Sequence, residues 1–255
     1  MPKKQNWIIL SLGGSIVVPD KIDPHTNRTL RLKASNLRSE YPISVGVDIR
    51  FLRNFRKFIL KWVIKGKRFI IFVGGGRTAR CYQKEARRVW VFDQKTLDWI
   101  GIYATYLNAS LVLGLFKNKA YPQIVKNPTK KINTNKKIII AGGWKPGWST
   151  DYDAVRIAQV YKTRTIINLS DIDYVYDKDP DKFKNAKPFE HLSFSKFFKI
   201  GGKKWKAGLN LPFGPIASKL AQKHNFKVII LRGTNLKNLD NLFKGKSFKG
   251  TMIQN

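Results

Sequence analysis

The sequence predicts an α/β protein in which a mostly parallel β-sheet is covered by helices on both faces. Two observations carry this prediction. Short runs rich in isoleucine, valine and phenylalanine alternate along the chain with longer segments of helical periodicity. Three of the short runs, ending near Leu12, Val73 and Ala141, pass directly into paired or tripled glycines. Strands that alternate with helices in this way are typical of a parallel sheet buried on both faces.

The first half of the chain contributes two strands and the helix between them. Trp7 to Leu12 is the first predicted strand, and Arg68 to Val73 is the second. A helix is predicted from Ile49, because its apolar residues share one face, and Gly66 ends it. The segment from Asp23 to Val47 has no clear period. We therefore expect it to be a surface insertion within a single domain.

The second half continues the alternation of helices and strands. A long helix is predicted from Leu97 to Phe116, and Tyr121 to Val125 could form a strand at the edge of the sheet. Thr165 to Leu169 and Lys227 to Leu231 are further predicted strands. Other predicted helices lie near Leu192 and from Pro215 to His224, and a closing helix and strand complete the chain.

Composition limits the class of protein. Hydrophobic residues make up 43% of the 255 residues, which indicates a globular chain. The longest apolar run, Ile100 to Phe116, is interrupted by Asn108 and is shorter than a membrane span. The single cysteine, Cys81, rules out an internal disulfide and fits a reducing compartment. We therefore expect a cytoplasmic protein without a membrane partner.

The charge of the chain is strongly positive. Its 49 lysines and arginines against 16 aspartates and glutamates give a formal net charge of +33, which attracts polyanions. The basic residues are spread through nearly every segment, and no basic tail or nucleic-acid-binding motif accompanies them. A general lysine-rich composition is therefore the favoured explanation of the charge. Nucleic-acid binding stays open as an alternative explanation.

The stretch from Ile138 to Val155 predicts an anion-binding turn. Gly142 and Gly143 follow a buried strand, and Ser149 is a good N-cap residue for the next helix. Free backbone N–H groups at such a helix start attract phosphate. The stretch is not a Walker A loop, because Trp148 occupies the position of the required lysine.

Binding or transfer of phosphate groups is the chemistry that remains after the other motifs are excluded. Ligands of open α/β sheets bind beyond the carboxyl ends of the strands, where all three glycine turns are expected to lie. The chain has no G-x-G-x-x-G motif, which argues against NAD, and no G-x-S-x-G motif, which argues against a serine hydrolase. Its three histidines lack the spacing of metal ligands, so no protein metal site is expected.

The motifs of the chain, in their order, resemble those of the uridylate (UMP) kinases of the amino-acid-kinase superfamily. The resemblance runs from Trp7 to about Ile253 and is interrupted by the insertion. Six motifs carry it: L-G-G-S at 12–15, V-G-G-G-R-T-A-R at 73–80, D-W-I-G-I-Y-A-T-Y-L-N-A at 98–109, G-W-K-P-G-W-S-T-D at 143–151, S-D-I-D-Y-V-Y-D-K-D-P at 170–180 and P-I-A-S-K-L-A at 215–221. That family transfers the γ-phosphoryl group of ATP to UMP, giving UDP, on a three-layer α/β/α fold, usually as a hexamer. The resemblance therefore implies UMP and ATP as substrates, with Mg²⁺ carried by the nucleotide.

The resemblance also implies which residues bind the two nucleotides. Those expected to bind ATP are Ser11, Leu12, Gly13, Gly14, Gly76, Ser170, Tyr176 and Asp179. Those expected to bind UMP are Gly75, Arg80, Asp98, Gly143, Trp144, Lys145, Pro146, Gly147, Trp148, Ser149 and Thr150. Arg80, which is also expected to be catalytic, suits a fork on the acceptor phosphate, and Asp98 would accept hydrogen bonds from ribose hydroxyls.

Three positions depart from the family's motifs. Many members have a lysine two residues before the first glycine, where this chain has Ser11. Gly214 stands where an aspartate commonly precedes the proline, and Tyr174 replaces a glycine. Because in-line transfer concentrates negative charge on the γ-phosphoryl group, another cation is expected to take the place of the missing lysine. Lys145 is the first candidate for this catalytic role and Lys219 is the second.

Two other functions stay open beside UMP phosphorylation and nucleic-acid binding. The chain could be a kinase of the same superfamily with another acceptor, although Asp98 and the T-D pair at 150–151 favour a nucleotide. It could also be a non-catalytic relative that binds nucleotides or anions. The changes at Ser11 and Gly214 favour this second alternative.

Overall fold

A computed structural model of the chain describes residues 7–19, 46–180, 182–200 and 212–255. Residues 23–45 of the predicted insertion lie outside the described residues, so the insertion stays a prediction. The strands of the described part are β1 (Trp7–Leu12), β2 (Arg68–Val73), β3 (Ile138–Ala141), β4 (Thr165–Ser170), β5 (Val175–Tyr176), β6 (Pro188–Phe189), β7 (His191–Ser193), β8 (Lys227–Arg232) and β9 (Thr251–Gln254).

Helices separate most of these strands. In the described residues they are α1 (Gly14–Val17), α2 (Ile49–Ile64), α3 (Gly76–Val89), α4 (Gln94–Phe116), α5 (Thr150–Val160), α6 (Phe194–Ile200), α7 (Pro215–Lys223) and α8 (Leu236–Phe243). A short 3₁₀ turn, Lys117–Lys119, follows α4. Apart from the predicted edge strand at Tyr121–Val125, the predicted strands and helices appear in the predicted order, with β1 and β2 at the predicted bounds.

Three local predictions differ from the structure. Helix α4 begins at Gln94, about one turn earlier than predicted, because the Asp93 carboxylate accepts a hydrogen bond from the backbone N–H of Thr96 and caps the helix. The segment Tyr121–Val125 is not a strand, since this part of the chain makes only isolated parallel bridges to β3. Near Leu192 the chain forms the short strand β7 before α6, rather than helix alone.

The main sheet is mostly parallel, as predicted. Within the described residues it has seven strands in the order β3-β2-β1-β4-β8-β9-β7. All neighbours from β3 to β8 are parallel, β9 pairs antiparallel with β8, and β7 pairs parallel with β9. The carboxyl ends of β1, β2, β3, β4 and β8 therefore meet at one edge of the sheet, where an open α/β sheet binds its ligand.

Two hydrophobic cores cover the two faces of the sheet and give the molecule three layers. One face carries alternate strand residues such as Leu10 and Ile71, packed against α1, α2, α4 and α8. The other face carries their neighbours, such as Ile9 and Ile70, packed against α5, α6 and α7. Because successive strand side chains point to opposite faces, the continuous apolar runs fill both cores at once.

Helix α4 combines a buried face with an exposed apolar face. By length and composition it is the one helix of the described residues apolar enough to cross a membrane. Core helices of globular proteins pass the same test, and Ala109, Val112 and Phe116 of α4 are buried against the sheet. The opposite face has no charged residue between Asp98 and Lys117.

One carboxylate ties α8 to α2. Asp240 accepts hydrogen bonds from Lys61 Nζ at 2.7 Å and from Trp62 Nε1 at 3.0 Å, and it pairs with Lys244 at 2.6 Å. These bonds hold Phe243 against the indole of Trp62, with ring centroids 5.2 Å apart. The bonds from Lys244 and Lys61 lower the pKa of Asp240 from 3.8 to about 2.

We expect Asp240→Asn to lower the free energy of unfolding by about 1 kcal/mol at pH 7, since the lysine partners are exposed. A lowered pKa contributes stability above the pKa of the unfolded chain, and this contribution is lost as the pH falls through about 2. Urea unfolding from pH 7 to pH 2 should therefore show the difference from the parent chain shrinking below about pH 4.

The control is Glu85→Gln, which removes an exposed ion pair with Arg88 and should change stability little at any pH. A destabilisation by Asp240→Asn that stays constant down to pH 2 would contradict the assignment of stability to the charged carboxylate.

Candidate active site

The three predicted glycine turns lie at the same edge of the sheet. The turn after β1 is fixed by a hydrogen bond from Gly13 N to Leu169 O at 3.0 Å. The turn after β2 is fixed by a bond from Gly74 N to Leu12 O at 2.9 Å. The turn after β3 begins with Gly142, whose N–H bonds to Val125 O at 3.1 Å. Parallel pairing of β1, β2 and β3 therefore brings the predicted turns together.

The first two turns are in direct backbone contact. A Cβ on Gly74 would lie 2.7 Å from Gly14 N, and a Cβ on Gly76 would overlap the backbone of Gly14. Gly76 also has a φ of +56°, which other residues rarely adopt. Only glycine fits at these positions. The glycines of L-G-G-S and V-G-G-G are therefore required by the packing of the two turns as well as by ligand access.

We expect Gly76→Ala to lower the free energy of unfolding by about 3 kcal/mol or to prevent folding, because it adds left-handed strain and overpacks the contact. The matched control is Gly114→Ala in α4, where an added Cβ meets no atom within 4 Å. That change should raise stability by about 0.5 kcal/mol. Denaturant unfolding measures both, and equal stability of the two variants would contradict the packing argument.

A cavity of about 270 Å³ opens beyond the ends of β1, β2 and β4. The predicted site residues that line it are Ser11, Gly13, Gly14, Gly75, Gly76, Arg80, Thr150 and Ser170. Its lining also contains Asp151, Asn168 and Asp171, which were not among the predicted residues. Five predicted donor residues and three predicted acceptor residues thus line the same cavity.

Other predicted ATP residues lie outside this lining. Leu12 is fully buried at the end of β1. Tyr176 lies in β5, with its ring edge-on to Tyr174 at 6.2 Å, and Asp179 pairs with Lys182 at 3.7 Å. The β5–β6 hairpin that carries Tyr176 follows the cavity residue Asp171 along the chain. Their roles toward a nucleoside stay predictions.

Arg80 reaches the cavity from the first turns of α3. Its Nη2 donates to Ser15 Oγ at 3.2 Å, which links α3 to α1. The guanidinium is exposed and is the only basic side chain among the described residues that line the cavity. Its planar fork can bind two oxygens of a phosphate.

The predicted acceptor loop, residues 143–149, is clamped to α4 at its first residue. Gly143 N donates to Thr105 Oγ1 at 2.8 Å, and Tyr106 OH donates to Gly143 O at 2.8 Å. A Cβ on the preceding Gly142 would lie 2.6 Å from the Tyr106 ring. Thr105 and Tyr106 were not predicted as site residues, although both belong to the motif at 98–109.

The far end of the acceptor loop is held by Asp98. Its Oδ2 accepts from Gly147 N at 2.8 Å, and its Oδ1 accepts from Gln94 Nε2 at 2.7 Å. Asp98 is therefore part of the loop's support in this structure, and it is not the N-cap of α4. An ionised carboxylate offers about four acceptor positions, so the predicted bond to ribose hydroxyls remains compatible with this geometry.

A buried carboxyl supports the middle of the same loop. Asp153 is fully buried, and its Oδ2 accepts from Trp144 N at 3.0 Å while its Oδ1 has no partner among the described residues. Burial raises the pKa of Asp153 to about 8. The side chain is therefore largely neutral at pH 7 and holds the loop without a buried charge. Asp153 was not among the residues predicted to form the site.

The aromatic residues of the acceptor loop form a small stack at its surface. Trp148 stacks on Tyr152 with ring centroids 4.0 Å apart. Lys145 is exposed, and its Nζ lies 4.3 Å from the centre of the Trp144 ring and 6.0 Å from that of Trp148. This cation–π position places Lys145 outside the lining of the cavity.

Lys219, the second predicted replacement cation, lies on α7. It is exposed and does not line the cavity. The turn before α7 does reach the site, because Gly214 N donates to Asp151 Oδ2 at 3.2 Å. The structure therefore brings the altered Gly214 to the cavity, but not Lys219.

Asp151 connects three elements at the base of the cavity. Its Oδ1 accepts from Ser11 Oγ of β1 at 2.8 Å and from Asn168 Nδ2 of β4 at 3.0 Å, beside the bond from Gly214 N. Burial raises the pKa of Asp151, and the three hydrogen bonds partly oppose that rise. These contacts join residues up to 140 positions apart, so local sequence patterns give no sign of them.

A mostly parallel sheet with glycine turns and an arginine around a cavity at its carboxyl edge defines an α/β protein built to bind phosphate groups. Comparison with known proteins identifies the family within this class. The model of the Amino acid kinase family matches residues 6–232, and the chain belongs to that family.

Curated relatives match nearly the whole chain. A uridylate kinase of Thermoplasma volcanium is 32% identical over 97% of this chain and 97% of its own length. A uridylate kinase of Thermoplasma acidophilum is 30% identical over 96% of each chain.

Solved structures give the same result. The crystal structure of uridylate kinase from Archaeoglobus fulgidus has a TM-score of 0.72 and 26% identity, covering 96% of this chain and 99% of its own. That of UMP kinase from Ureaplasma parvum, with a TM-score of 0.72 and 18% identity over 98% of this chain and 99% of its own, supports the fold alone. The predicted three-layer fold is confirmed.

Proposed function

We propose that the chain is an ATP-dependent UMP kinase, which transfers the γ-phosphoryl group of ATP to UMP and releases UDP. The observation that carries the proposal is the cavity between two glycine turns and the start of α5, in a chain whose relatives over nearly full length are named uridylate kinases. We further infer from UDP formation a role in pyrimidine nucleotide synthesis in the cytoplasm.

The cavity offers a side for each nucleotide. On the donor side, the backbone of Gly13, Gly14 and Gly76 can approach the phosphates of ATP closely, because no side chain intervenes. On the acceptor side, Arg80 and Thr150 line the same space, and Thr150 has a hydroxyl and a helix-start amide to offer a phosphate. This arrangement supports in-line transfer, in which positioning and charge neutralisation provide most of the catalysis.

The rest of the acceptor site is the loop that α4 and α5 hold in place. Its residues, Gly143 to Ser149, are fixed at both ends by Thr105 and Asp98. A loop that is positioned before the substrate arrives loses less entropy on binding. Asp98 and the loop's amides then orient the ribose and base of UMP, and the aromatic rings of Trp144 and Trp148 cover them.

Mg²⁺ carried by ATP would neutralise charge on the β- and γ-phosphates. The lining of the cavity fits such an ion, because Asp151 and Asp171 provide carboxylate oxygens and Ser11 a hydroxyl. Lys145 and Lys219 stay candidates for the catalytic cation that replaces the missing lysine. From its place over Trp144, Lys145 would have to swing toward the cavity to take that role.

We expect Arg80→Ala to raise the KM for UMP by about 10- to 100-fold, equivalent to about 1.5–3 kcal/mol of charged hydrogen bonding, while the KM for ATP changes little. Arg87→Ala is the control, because it removes an arginine two turns further along α3 whose Nη1 bonds only locally to Gln83 O. Steady-state kinetics with each substrate varied measures both. Equal losses for ATP and UMP would place Arg80 in the wrong subsite.

A coupled assay that offers UMP, CMP, carbamate and amino acids as acceptors tests the function itself. ADP release that depends on UMP is the expected result. ADP release that depends on another acceptor would show that the chain catalyses a different reaction of the same family. ATP binding without turnover for any acceptor would support a non-catalytic nucleotide-binding relative.

The chain also has a surface that suits self-association. Four exposed apolar residues follow one another at every fourth position on α4: Trp99, Tyr103, Leu107 and Leu111. Copies with a charge of +33 repel each other, so a lasting contact between them requires a face without charge. A homo-oligomer, and a hexamer by resemblance, would pair through this face.

We expect the parent chain to be oligomeric by light scattering at micromolar concentration and Leu107→Glu to shift it toward smaller species. Ile64→Glu is the control, because Ile64 is an apolar residue of α2, not of α4, and is 84% exposed. A monomeric parent chain, or identical masses for the parent chain and Leu107→Glu, would contradict this assignment of the interface.

A further inference from the structure

A second cavity lies at the opposite edge of the sheet from the catalytic cavity. It has a volume of about 440 Å³, within the range of about 300–1,000 Å³ that is usual for small-molecule sites. Its lining comes from the ends of α5 and α7 and from the turns that lead into β4 and β8. The lining residues are Gln159, Lys162, Thr163, Arg164, His224 and Phe226. The proposed kinase reaction uses none of them.

Two matching turns form this cavity. Lys162 after α5 has a φ of +53°, and Asn225 after α7 has a φ of +52°, so both adopt the left-handed conformation. The residue that follows each of them, Thr163 or Phe226, donates its N–H back to a carbonyl of the helix, at 3.0 and 2.9 Å. These are the bonds of a Schellman C-cap. Backbone groups therefore close both turns, and the side chain of Lys162 is not required as a cap.

The cavity carries positive charge without a counter-ion. Arg164 donates from Nη1 to His224 O at 2.8 Å, which joins the two turns and fixes the position of the guanidinium. A guanidinium has five N–H donors, so others remain available to a ligand. Lys162 is exposed, and within the described residues its ammonium has no hydrogen-bond or ion-pair partner. No aspartate or glutamate is among the residues that line the cavity.

The buried part of the lining is apolar. Phe226 is only 3% exposed, and it belongs to the core that packs α5 and α7 on the sheet. The half-buried Gln159 and Thr163 add an amide and a hydroxyl. Ligand sites of this size typically combine apolar walls with a few polar or charged groups that orient the ligand. The lining therefore fits a ligand that has both an anionic group and an organic body.

We propose that this cavity binds a small phosphorylated organic molecule, with its phosphate at Lys162 and Arg164 and its organic part against Phe226. A phosphate monoester carries about two negative charges at pH 7, which the two cations match. The planar fork of the guanidinium can bind two phosphate oxygens at once.

The site is separate from the catalytic cavity and goes beyond the proposed kinase function. Helix α5 begins at Thr150, which lines the catalytic cavity, and its 11 residues span about 16 Å before the chain reaches Lys162. Both cavities can therefore be occupied at the same time. Because the net charge of +33 attracts any anion, the test must separate binding in this cavity from the general field of the chain.

The test uses phenyl phosphate as the probe and isothermal titration calorimetry as the measurement. AMP-PNP, Mg²⁺ and UMP are present at saturating concentrations to occupy the catalytic cavity. The parent chain should bind about one phenyl phosphate, at least about tenfold more tightly than inorganic phosphate, because only the ester has an apolar group to place against Phe226. Inorganic phosphate that binds as tightly as the ester would contradict the organic ligand.

Matched variants locate the probe. Lys162→Asn removes one cation, and asparagine tolerates the left-handed backbone, so phenyl phosphate binding should weaken by at least about tenfold. Arg164→Gln removes the other cation, keeps an N–H donor near His224 O and should have a similar effect. The control is Lys117→Asn, at an exposed lysine with a φ of +42° after α4. It removes the same charge outside the cavity and should change the affinity by less than about twofold.

Three outcomes would overturn the proposal. The first is that the parent chain does not bind phenyl phosphate, and the second is that Lys162→Asn and Lys117→Asn bind it equally well. The third is binding that is lost in Arg80→Ala but kept in Lys162→Asn and Arg164→Gln, which would place the probe in the catalytic cavity. The titration requires no turnover, so a failure of the proposed kinase function would appear separately, in the acceptor assay.

Discussion

The contact between the backbones of Gly14 and Gly76 is the constraint on which the architecture of the site depends. Neither position tolerates a side chain, because a Cβ on either residue would overlap the other turn. The contact holds the ends of β1 and β2 together and places the start of α3, with Arg80, over the same space. Asn108 of α4 braces it from the side, since its Nδ2 donates to Gly74 O at 2.9 Å and Gly75 O at 3.1 Å. Because these turns have no side chains, their backbone can also approach a bound phosphate closely.

The opposite side of the cavity depends on polar side chains. Asp151 joins β1, β4 and the turn before α7, while Asp98, Thr105 and Asp153 hold the acceptor loop to α4 and α5. These groups are buried or half-buried, and a broken bond there would leave an unsatisfied polar atom at a cost of about 1–3 kcal/mol. One wall is thus fixed by the absence of side chains and the other by their mutual bonding. Both arrangements position the site before any ligand binds.

The fold was predictable because its causes are local. The hydrophobic pattern of a strand such as Arg68–Val73, or of the amphipathic helix Ile49–Ile64, is visible within a few residues. The glycine turns mark the edge of a parallel sheet where ligands bind. The supports of the site were not predictable in the same way. Ser11 bonds to Asp151 across 140 residues, and the neutral state of Asp153 arises from burial that no short pattern reveals. The segment Tyr121–Val125 has the composition of a strand but pairs too sparsely with β3 to become one.

Helix α4 touches the acceptor loop on one side and presents uncharged apolar side chains on the other. Thr105 and Tyr106 hold Gly143, whereas Tyr103 and Leu107 face outward. A helix is only about 10 Å across, so the contacts that hold the loop lie close to the residues of the outer face. In an assembly joined through that face, occupancy of one site would change the affinity of the neighbouring site, and the saturation curve would become sigmoidal or flattened rather than hyperbolic. Cooperativity would then need no separate regulatory domain, because the element that positions the substrate would also be the element that connects the subunits.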